Sequence, residues 1–343
     1  MTGSNTRLNV AVLAVPEVTA SSLYGMFDLF SSPGRDYKFI THGAAGEQRM
    51  HPYVVAKNIE VFEAANGIRI QPDYSFANCP RPDIVCIPDF FVNPGDSVAG
   101  HYEMEALWLK KAHDDGAMLA SACSGAVLLG EAGFLDNREA TIHWGYVSTL
   151  TNNYPNVRVK PHQSLVLSGE SQRIVMAGGG SSWQDLALYL IARFVSLKDA
   201  MEVAKVYMLQ WHDMGQQPFS ALLRFRQTDD AMINRCQQWA ADNYKTPSPV
   251  AALAQVSGLQ DRSFARRFTK ATGMTALGYI HALRLEEAKQ MLETGDLAIE
   301  AIANEVGYED TSFFGRLFRR KVGLTPAQYR RRFGSLHRVL GRT

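Results

Sequence analysis

Apolar and polar residues follow two different patterns in the two parts of the chain. In the first part, the apolar run Leu8–Ala14 is followed by a stretch of helical spacing at Ser21–Phe30, and further apolar runs occur at Tyr37–Ile40, Ala117–Ala122 and Arg173–Met176. Runs that are apolar throughout are typical of strands buried on both faces, and strands that alternate with helices form a parallel sheet covered by helices. The pattern therefore predicts an α/β domain.

From about residue 183 onward the chain is helical, and glycines at 258, 273, 295, 307 and 323 punctuate the later helices. A polar break at Gln227–Asp230 predicts a flexible junction between two domains. We predict four parts: an α/β domain over 1–195, a helical connector over 196–231, an all-helical domain over 232–333 and a basic tail over 334–343.

Composition excludes several classes of protein. Hydrophobic residues make up 46% and charged residues 20%, which is the ordinary mixture of a globular chain. The segment MTGSNTRLNVAVLAV predicts a first strand, since it lacks the cleavage site of a signal peptide. The four cysteines are too scattered for a disulfide framework or a zinc site, and no P-loop, HExxH or GxGxxG motif occurs in the required context. We expect a soluble cytoplasmic protein with no membrane partner, no metal and no cofactor.

Charge divides unevenly along the chain. Residues 230–343 carry 17 Lys and Arg against 11 Asp and Glu, whereas residues 1–229 carry 18 against 23. A basic module beside an acidic one indicates that the basic part meets a polyanion. The alternative is a basic surface that is only solvated.

The helical part contains an internal repeat. Five residues recur at a spacing of 50, namely Phe264, Phe268, Gly273, Thr275 and Tyr279 against Phe314, Phe318, Gly323, Thr325 and Tyr329. A helix, a glycine-containing turn and a second helix form a helix-turn-helix, and the repeat predicts two of them. A plain helical bundle with a basic face does not require this repetition.

The second helix of each repeat has two distinct faces. Its two phenylalanines lie four residues apart and share the buried stripe, and we expect Asp261 and Asp310 to cap the helix starts. The outward residues predicted to face DNA bases are Arg262, Ala265, Arg266, Thr311, Ser312 and Arg316. Basic clusters that include Arg266-Arg267 and Arg319-Arg320 are positioned to contact the flanking phosphates.

Residues 232–333 resemble the DNA-binding domain of AraC/XylS-type regulators. The resemblance is carried by IANEVGYEDTSFFGRLFRRKVGLTPAQYRRRF and by the connecting helix ALRLEEAKQMLE. It implies that double-stranded DNA is the partner and that the two recognition helices enter successive major grooves on one face of the duplex.

The α/β part contains a turn of the kind that presents a nucleophilic side chain. The run Ala117–Ala122 is followed by Cys123, by the small residues Ser124-Gly125-Ala126 and by a helical stretch. Strand, sharp turn and helix form a nucleophile elbow, and a helix start is expected to lower the pKa of the Cys123 thiol. His143 follows 20 residues later and is a candidate partner for the thiol. The alternative is that Cys123 is a small buried apolar residue and that His143 is structural.

Residues 8–195 resemble the DJ-1/PfpI fold, most clearly over ASACSGAVLLGEAGFLDNREATIHW. The resemblance implies a flavodoxin-like, doubly wound parallel sheet. Catalytic members carry an acidic residue near the start of the first helix, where Ser22 lies here, and Glu17, in the loop after the first strand, is the candidate substitute. We therefore predict a non-catalytic pocket that binds a ligand through Cys123, Ser124, His143 and Glu17.

Three functions follow. The first is a ligand-responsive transcription activator, with a likeness to regulators that respond to amino acids or quaternary amines and with a homodimer as its expected state. The second is a thiol-dependent amidase or glyoxalase-like enzyme with a DNA-binding tail. The third is a DNA-binding protein whose α/β domain only dimerises. The missing carboxylate favours the first over the second, and a ligand-induced thermal shift separates the first from the third.

Overall fold

The protein is described by a computed structural model, which covers residues 7–94, 96–212, 214–222 and 228–340. The chain divides into two compact units, Met1–Gln216 and Gln217–Thr343. Their boundary falls within the connector that was predicted over 196–231, and the finer four-part division stays a prediction.

All strands among the described residues lie in the first unit. Their bounds are β1 Leu8–Leu13, β2 Met50–Ala56, β3 Phe62–Glu63, β4 Arg69–Ile70, β5 Tyr74–Ser75, β6 Ile84–Ile87, β7 Met118–Ala122, β8 Glu139–Ala140, β9 Arg158–Val159, β10 Leu165–Ser168 and β11 Ile174–Ala177. Seven of them form the main sheet in the order β10-β11-β7-β6-β1-β2-β5. Every pairing in that sheet is parallel except β10 with β11.

Helices cover this sheet. Their bounds are α1 Ala20–Ser31, α2 Asp36–His42, α3 Glu103–Asp114, α4 Ala126–Glu131, α5 Val147–Asn153, α6 Ser182–Phe194 and α7 Leu197–Val206. The central strands β1, β6, β7 and β11 are almost fully buried, as runs that are apolar throughout require. The predicted α/β fold with a doubly wound parallel sheet is confirmed.

One prediction about this sheet is wrong, and one of its strands was not predicted. Tyr37–Ile40 was expected to be a buried strand, but it lies in α2, where the Phe39 and Ile40 side chains are 59% and 65% exposed. The strand beside β1 is instead β2, which the sequence pattern did not indicate. Pro52 lies inside β2, and a proline in a run argues against an interior strand because it lacks an N–H donor.

The second unit is helical throughout its described residues. Its helices are α8 Ala231–Asn243, α9 Pro249–Ser257, α10 Asp261–Thr272, α11 Ala276–Thr294, α12 Ile299–Glu305, α13 Thr311–Val322, α14 Pro326–Phe333 and α15 Ser335–Leu340. They enclose two apolar cores, one built on Phe264 and Phe268 and the other on Phe314 and Phe318. Helix α11 supplies buried residues to both cores, so it joins the two repeats.

The structure describes only part of the predicted junction at Gln227–Asp230. Gln227 is outside the described residues. Asp230 accepts hydrogen bonds from the backbone N–H of Met232 and Ile233 and so caps the start of α8. The Thr228 N–H donates to the Asn234 side chain at 2.8 Å. The described end of this segment is therefore tied to the second unit.

Candidate functional site

The predicted elbow is present at the carboxyl end of β7. Cys123 has a φ of 54°, a conformation that costs free energy for any residue with a side chain. A short 3-10 turn over Cys123–Gly125 leads directly into α4. A Cβ on Gly125 would lie 2.6 Å from the Ile87 carbonyl oxygen and 2.8 Å from that of Pro88, so this position requires glycine. The turn packs tightly against the end of β6.

The expected low pKa of the Cys123 thiol is wrong. Burial raises its pKa to about 12, and the Asp89 carboxylate adds to the shift, against smaller opposing hydrogen bonds from Ser124. The side chain is 7% exposed, and α4 is a helix of only six residues. Loss of solvation and a neighbouring negative charge therefore outweigh the helix start. At neutral pH Cys123 is a protonated thiol, which is a weak nucleophile.

Ser124 ties the elbow to the loop after β6. Its hydroxyl donates to the Phe90 carbonyl oxygen at 2.6 Å and accepts from the Phe90 N–H at 2.9 Å. The same loop pairs with the loop after β1, since the Phe91 N–H donates to the Glu17 carbonyl oxygen at 2.9 Å. Three loops at the carboxyl edge of the sheet are thus held together.

His143 begins the short turn Trp144–Tyr146. Its Nδ1 accepts a hydrogen bond from the Gly145 N–H at 3.0 Å, so the neutral ring carries its proton on Nε2. The ring centroid lies 5.0 Å from that of Trp144 and 6.0 Å from that of Tyr146. Burial raises the pKa of the Tyr146 phenol, and Cys123 and Asp89 add to the shift. Tyr146 therefore belongs to the surroundings of the thiol.

Asp89 and Tyr146 are the residues that sequence reasoning missed. Asp89 follows β6 at the same sheet edge as the elbow, and the carboxyl ends of parallel strands are where sites form in such sheets. The position of Asp89 after a buried run was therefore a usable signal. No comparable signal pointed to Tyr146.

Glu17 lines a separate cavity of about 460 Å³. The cavity is also lined by Lys57, Phe62, Tyr102 and Glu105, whereas Cys123, Ser124 and His143 are not among its described lining residues. The Oε2 atom of Glu17 is buried and has no hydrogen-bond partner among the described residues. Burial raises the pKa of the Tyr102 phenol, and the charge of the nearby Glu17 carboxylate raises it further. A buried acceptor without a partner is rare and marks a point where a ligand can bind.

Phe90 contacts both the elbow and Tyr102, one of the residues that line the cavity. The Phe90 ring contacts Tyr102 edge-on at a centroid distance of 5.3 Å, and its backbone is held by Ser124. The structure therefore brings Cys123 and Ser124 together at the elbow and places Glu17 across the Phe90 loop. Ser22 occupies the position of the missing carboxylate. Its hydroxyl donates to the Thr19 carbonyl oxygen at 3.0 Å.

The outward faces of α10 and α13 agree with the pattern in the sequence. Their paired phenylalanines are buried. Thr311 is half-buried, and the other residues predicted to contact DNA are exposed, namely Arg262, Ala265, Arg266, Ser312, Arg316, Arg319 and Arg320. The two helices thus present polar and basic surfaces of the kind that contacts DNA.

One of the two predicted helix caps is correct. Asp310 accepts hydrogen bonds from the N–H groups of Ser312 and Phe313 at 2.8 and 3.0 Å. Asp261 is instead the first residue of α10, and the cap position belongs to Gln260, whose side chain makes no cap hydrogen bond. The sequence pattern located the helix start correctly to within one residue.

Arg267 is engaged within the protein. Its guanidinium donates to both carboxylate oxygens of Asp230, at 2.7 and 3.1 Å. Arg266 and Arg267 line a groove of about 1480 Å³. Two further basic residues that sequence reasoning missed, Arg235 and Lys270, line the same groove. Lys270 lies four residues after Arg266 on the same helix, so the helical spacing was a signal for it.

Two other kinds of site are absent from the described residues. No helix there is long and apolar enough to cross a membrane. No group of three or more His, Cys, Asp or Glu side chains in that part of the chain is arranged to hold a metal ion.

Two family models match the chain. The helix-turn-helix domain model matches residues 253–332, and the DJ-1/PfpI family model matches residues 35–169. Both resemblances drawn from the sequence are confirmed.

Known proteins with similar sequences include regulators and an enzyme. The chain is 27% identical over 286 residues to the HTH-type transcriptional regulator CdhR of Pseudomonas aeruginosa, covering 78% of this chain and 77% of CdhR. It is 29% identical over 225 residues to the HTH-type transcriptional regulator GlxA of Rhizobium meliloti, covering 64% and 67%. It is 24% identical over 216 residues to an isonitrile hydratase of Pseudomonas putida, covering 62% and 82%.

Proposed function

Since the chain joins a DJ-1/PfpI domain to an AraC-type helix-turn-helix domain, we propose that it is a transcription regulator that binds specific sites on double-stranded DNA. The observation that carries this proposal is the pair of helices α10 and α13, whose phenylalanines are buried and whose basic faces are exposed. CdhR and GlxA, which are named as regulators, support it.

The two recognition helices divide their contacts between bases and phosphates. Arg266 and Arg316 occupy equivalent exposed positions and read base edges, because a guanidinium donates two hydrogen bonds to guanine. Arg262, Ala265, Thr311 and Ser312 flank them on the same faces. Arg319 and Arg320 contact phosphates, which position the helix without reading the sequence.

Selection from a random pool of duplexes tests this proposal. The wild-type chain should enrich one sequence with two conserved blocks about one helical turn apart, since two linked recognition helices enter successive grooves. A variant with both Arg266→Ala and Arg316→Ala should fold and fail to enrich it. Failure of the wild type to enrich any sequence would contradict the proposal.

The α/β unit binds a small effector of the amino acid or quaternary amine class, and binding activates transcription. The cavity beside Glu17 supports this part of the proposal. The half-buried Glu17 carboxylate, whose Oε2 atom is shielded from solvent, attracts an ammonium group through its charge. The aromatic rings of Phe62 and Tyr102 in the same cavity attract it through their faces. The effector response also depends on the elbow side of the Phe90 loop, where Cys123, Ser124 and His143 lie.

A thermal-shift screen of amino acids and quaternary amines tests the effector site. A ligand from either class should stabilise the wild type. Glu17→Gln should remove the shift, whereas Glu60→Gln, an exposed carboxylate of the same cavity, should keep most of it. If no member of either class shifts the unfolding temperature, the assigned effector class is wrong, and a unit that only dimerises becomes the better hypothesis.

The α/β unit acts without catalysis. Its protonated thiol supports this, because the thiolate is the nucleophile in cysteine chemistry. Cys123→Ala should weaken the effector response and leave basal DNA binding unchanged. The likeness to isonitrile hydratase supports the alternative of a thiol-dependent amidase or glyoxalase-like enzyme. Turnover of amides, esters or α-oxoaldehydes that depends on Cys123 would favour that alternative.

The active form of the regulator is a homodimer, as the resemblance to its family implies. Light scattering of the full chain should give twice the chain mass of 38.1 kDa. A mass equal to one chain at the concentration that saturates the selected duplex would contradict this.

A further inference from the structure

The side chain of Gln216 is buried in the α/β unit and holds the loop that carries His143. Its Nε2 donates to the carbonyl oxygens of Ile142 and Gln163 at 3.0 and 3.2 Å and to the Thr141 hydroxyl at 3.3 Å. Its Oε1 accepts from the Trp144 N–H at 3.1 Å. Only 3% of the residue is exposed. Buried groups with several partners hold one conformation, because losing any partner costs free energy.

The segment that leads to Gln216 is also anchored in the α/β unit. The His212 ring and backbone N–H both contact the buried Asp185 carboxylate, at 2.9 and 3.2 Å. The Ser164 hydroxyl donates to the His212 carbonyl oxygen at 3.0 Å, and the Gln216 N–H donates to the His162 carbonyl oxygen at 3.0 Å. The last residue of the first unit is therefore fixed by both backbone and side chain.

Gly178 makes room for the Gln216 carboxamide. A Cβ at Gly178 would overlap both Nε2 and Cδ of Gln216, and it would lie 3.0 Å from the Gln163 carbonyl oxygen. The glycines at 178–180, which follow β11, are thus not equivalent, since a Cβ at Gly180 would meet nothing within 4 Å. Gly178 is required by the glutamine side chain that packs on it.

Gln217, the next residue, caps the second recognition helix within the other unit. Its Nε2 donates to the carbonyl oxygens of Arg320 and Lys321, both at 3.1 Å. These carbonyls belong to the last turn of α13, whose final carbonyl groups lack partners inside the helix. The Phe219 ring packs edge-on against Phe333 at a centroid distance of 5.2 Å, which holds the same segment to the helical unit.

We propose that Gln216 and Gln217 are positioning residues that couple the His143 loop to the DNA-reading helix α13. This inference rests on the proposed regulator function and assigns its route of control. Tyr146, at the end of this loop, is near enough to Cys123 for the thiol to add to the rise in the pKa of its phenol. A change at the elbow that moves the loop displaces the Gln216 carboxamide. One peptide bond then passes the displacement to Gln217 and the end of α13.

Such coupling is reciprocal, because a free-energy link between two sites acts in both directions. DNA bound to α13 must therefore stabilise the loop that Gln216 holds. The Trp144 N–H reports on the first position, and the Gly323 N–H, which donates to the Arg319 carbonyl oxygen at 2.9 Å, reports on the second.

Gly178→Ala tests the coupling, with Gly180→Ala as the matched control. The added methyl group displaces the Gln216 carboxamide from its hydrogen bonds and leaves the backbone hydrogen bonds of the sheet in place, so hydrogen exchange of the β7 and β11 amides should show that the full chain stays folded. Hydrogen exchange should become faster at the Trp144 and Gly323 amides of Gly178→Ala and stay unchanged in the control. Affinity for a duplex selected by the wild type should fall about five-fold or more in Gly178→Ala only.

A second pair of variants tests the coupling if Gly178→Ala does not fold. Gln216→Ala should reproduce both effects, and Gln217→Ala should speed exchange at Gly323 while lowering duplex affinity. In the wild type the selected duplex should slow exchange at Trp144, and Gln216→Ala should abolish that slowing.

Faster exchange at Trp144 with unchanged exchange at Gly323 and unchanged duplex affinity would overturn the coupling and leave the proposed function intact. A wild-type chain that selects no duplex would remove the proposed function, and the coupling with it.

Discussion

The two helix-turn-helix repeats have nearly identical interiors and different ends. In the first repeat the Phe264 and Phe268 rings are 5.4 Å apart, and in the second the equivalent pair is 5.7 Å apart. The second phenylalanine of each repeat contacts a tyrosine at 5.5 or 5.6 Å and at nearly the same angle, 77° or 79°. The helix starts differ, because α13 has a side-chain cap from Asp310 and α10 has none.

Their outward surfaces differ as well. The first presents Arg262, Ala265 and Arg266, whereas the second presents Thr311, Ser312 and Arg316 around Gly315. A close-packed core tolerates little change, but exposed positions are free to diverge. The two repeats therefore share one scaffold and differ in their outward surfaces, and under the proposed function each surface reads a different half of the DNA site.

The largest expected effect tests whether the two cores contribute equally to stability. Phe268→Ala and Phe318→Ala should each cost about 3–5 kcal/mol of unfolding free energy, because each leaves a cavity of similar size. Hydrogen exchange of the α10 and α13 amides measures both in the full chain. Costs that differ by more than about 2 kcal/mol would show that the cores are not equivalent.

The next effect separates the reading surfaces. Arg266→Ala and Arg316→Ala should each cost about 1–3 kcal/mol of binding free energy on the selected duplex and much less on random DNA. Each variant should relax the sequence preference in a different half of the site. Fluorescence anisotropy on both kinds of duplex measures this. Equal losses on both would reassign the two arginines to phosphate contacts.

A smaller effect concerns the helix starts. Asp310→Ala should cost about 1 kcal/mol, because two backbone N–H groups lose their acceptor. Asp261→Ala should cost less, since that carboxylate only favours the helix dipole. Exchange rates of the Ser312 and Phe313 amides provide the measurement. An equal cost for the two variants would mean that Asp261 acts as a cap in solution.

The smallest effect is confined to the first repeat. The Arg267 guanidinium lowers the pKa of the Asp230 carboxyl, whereas the buried Leu317 occupies the position equivalent to Arg267 in the second repeat. The pair therefore stabilises the folded state above the unfolded carboxyl pKa of about 3.9, and this contribution is lost as the pH falls through the lower folded value. Arg267→Gln should remove that part of the acid dependence of the unfolding temperature. An unchanged acid dependence would mean that the ion pair contributes nothing.

The sequence by itself determined the features that depend on local spacing. The alternation of strands and helices predicted the α/β class, and the 50-residue repeat predicted two helix-turn-helix units with their buried phenylalanines. The strand, small residues and helix around Cys123 predicted the elbow. Each of these features is determined by neighbouring residues within one or two elements, where the periodicity and the size of the side chains allow few alternative local structures.

Only the tertiary structure decided the features that depend on distant residues. Tyr37–Ile40 is apolar but exposed in α2, because β2 occupies the place beside β1. The pKa of the Cys123 thiol is raised because burial in the core, and then the charge of Asp89, outweigh the effect of a helix start. Glu17 faces a cavity across the Phe90 loop, and Gln216 is buried against Gly178. Solvation and charge at a residue depend on what the fold places around it, which no local pattern contains.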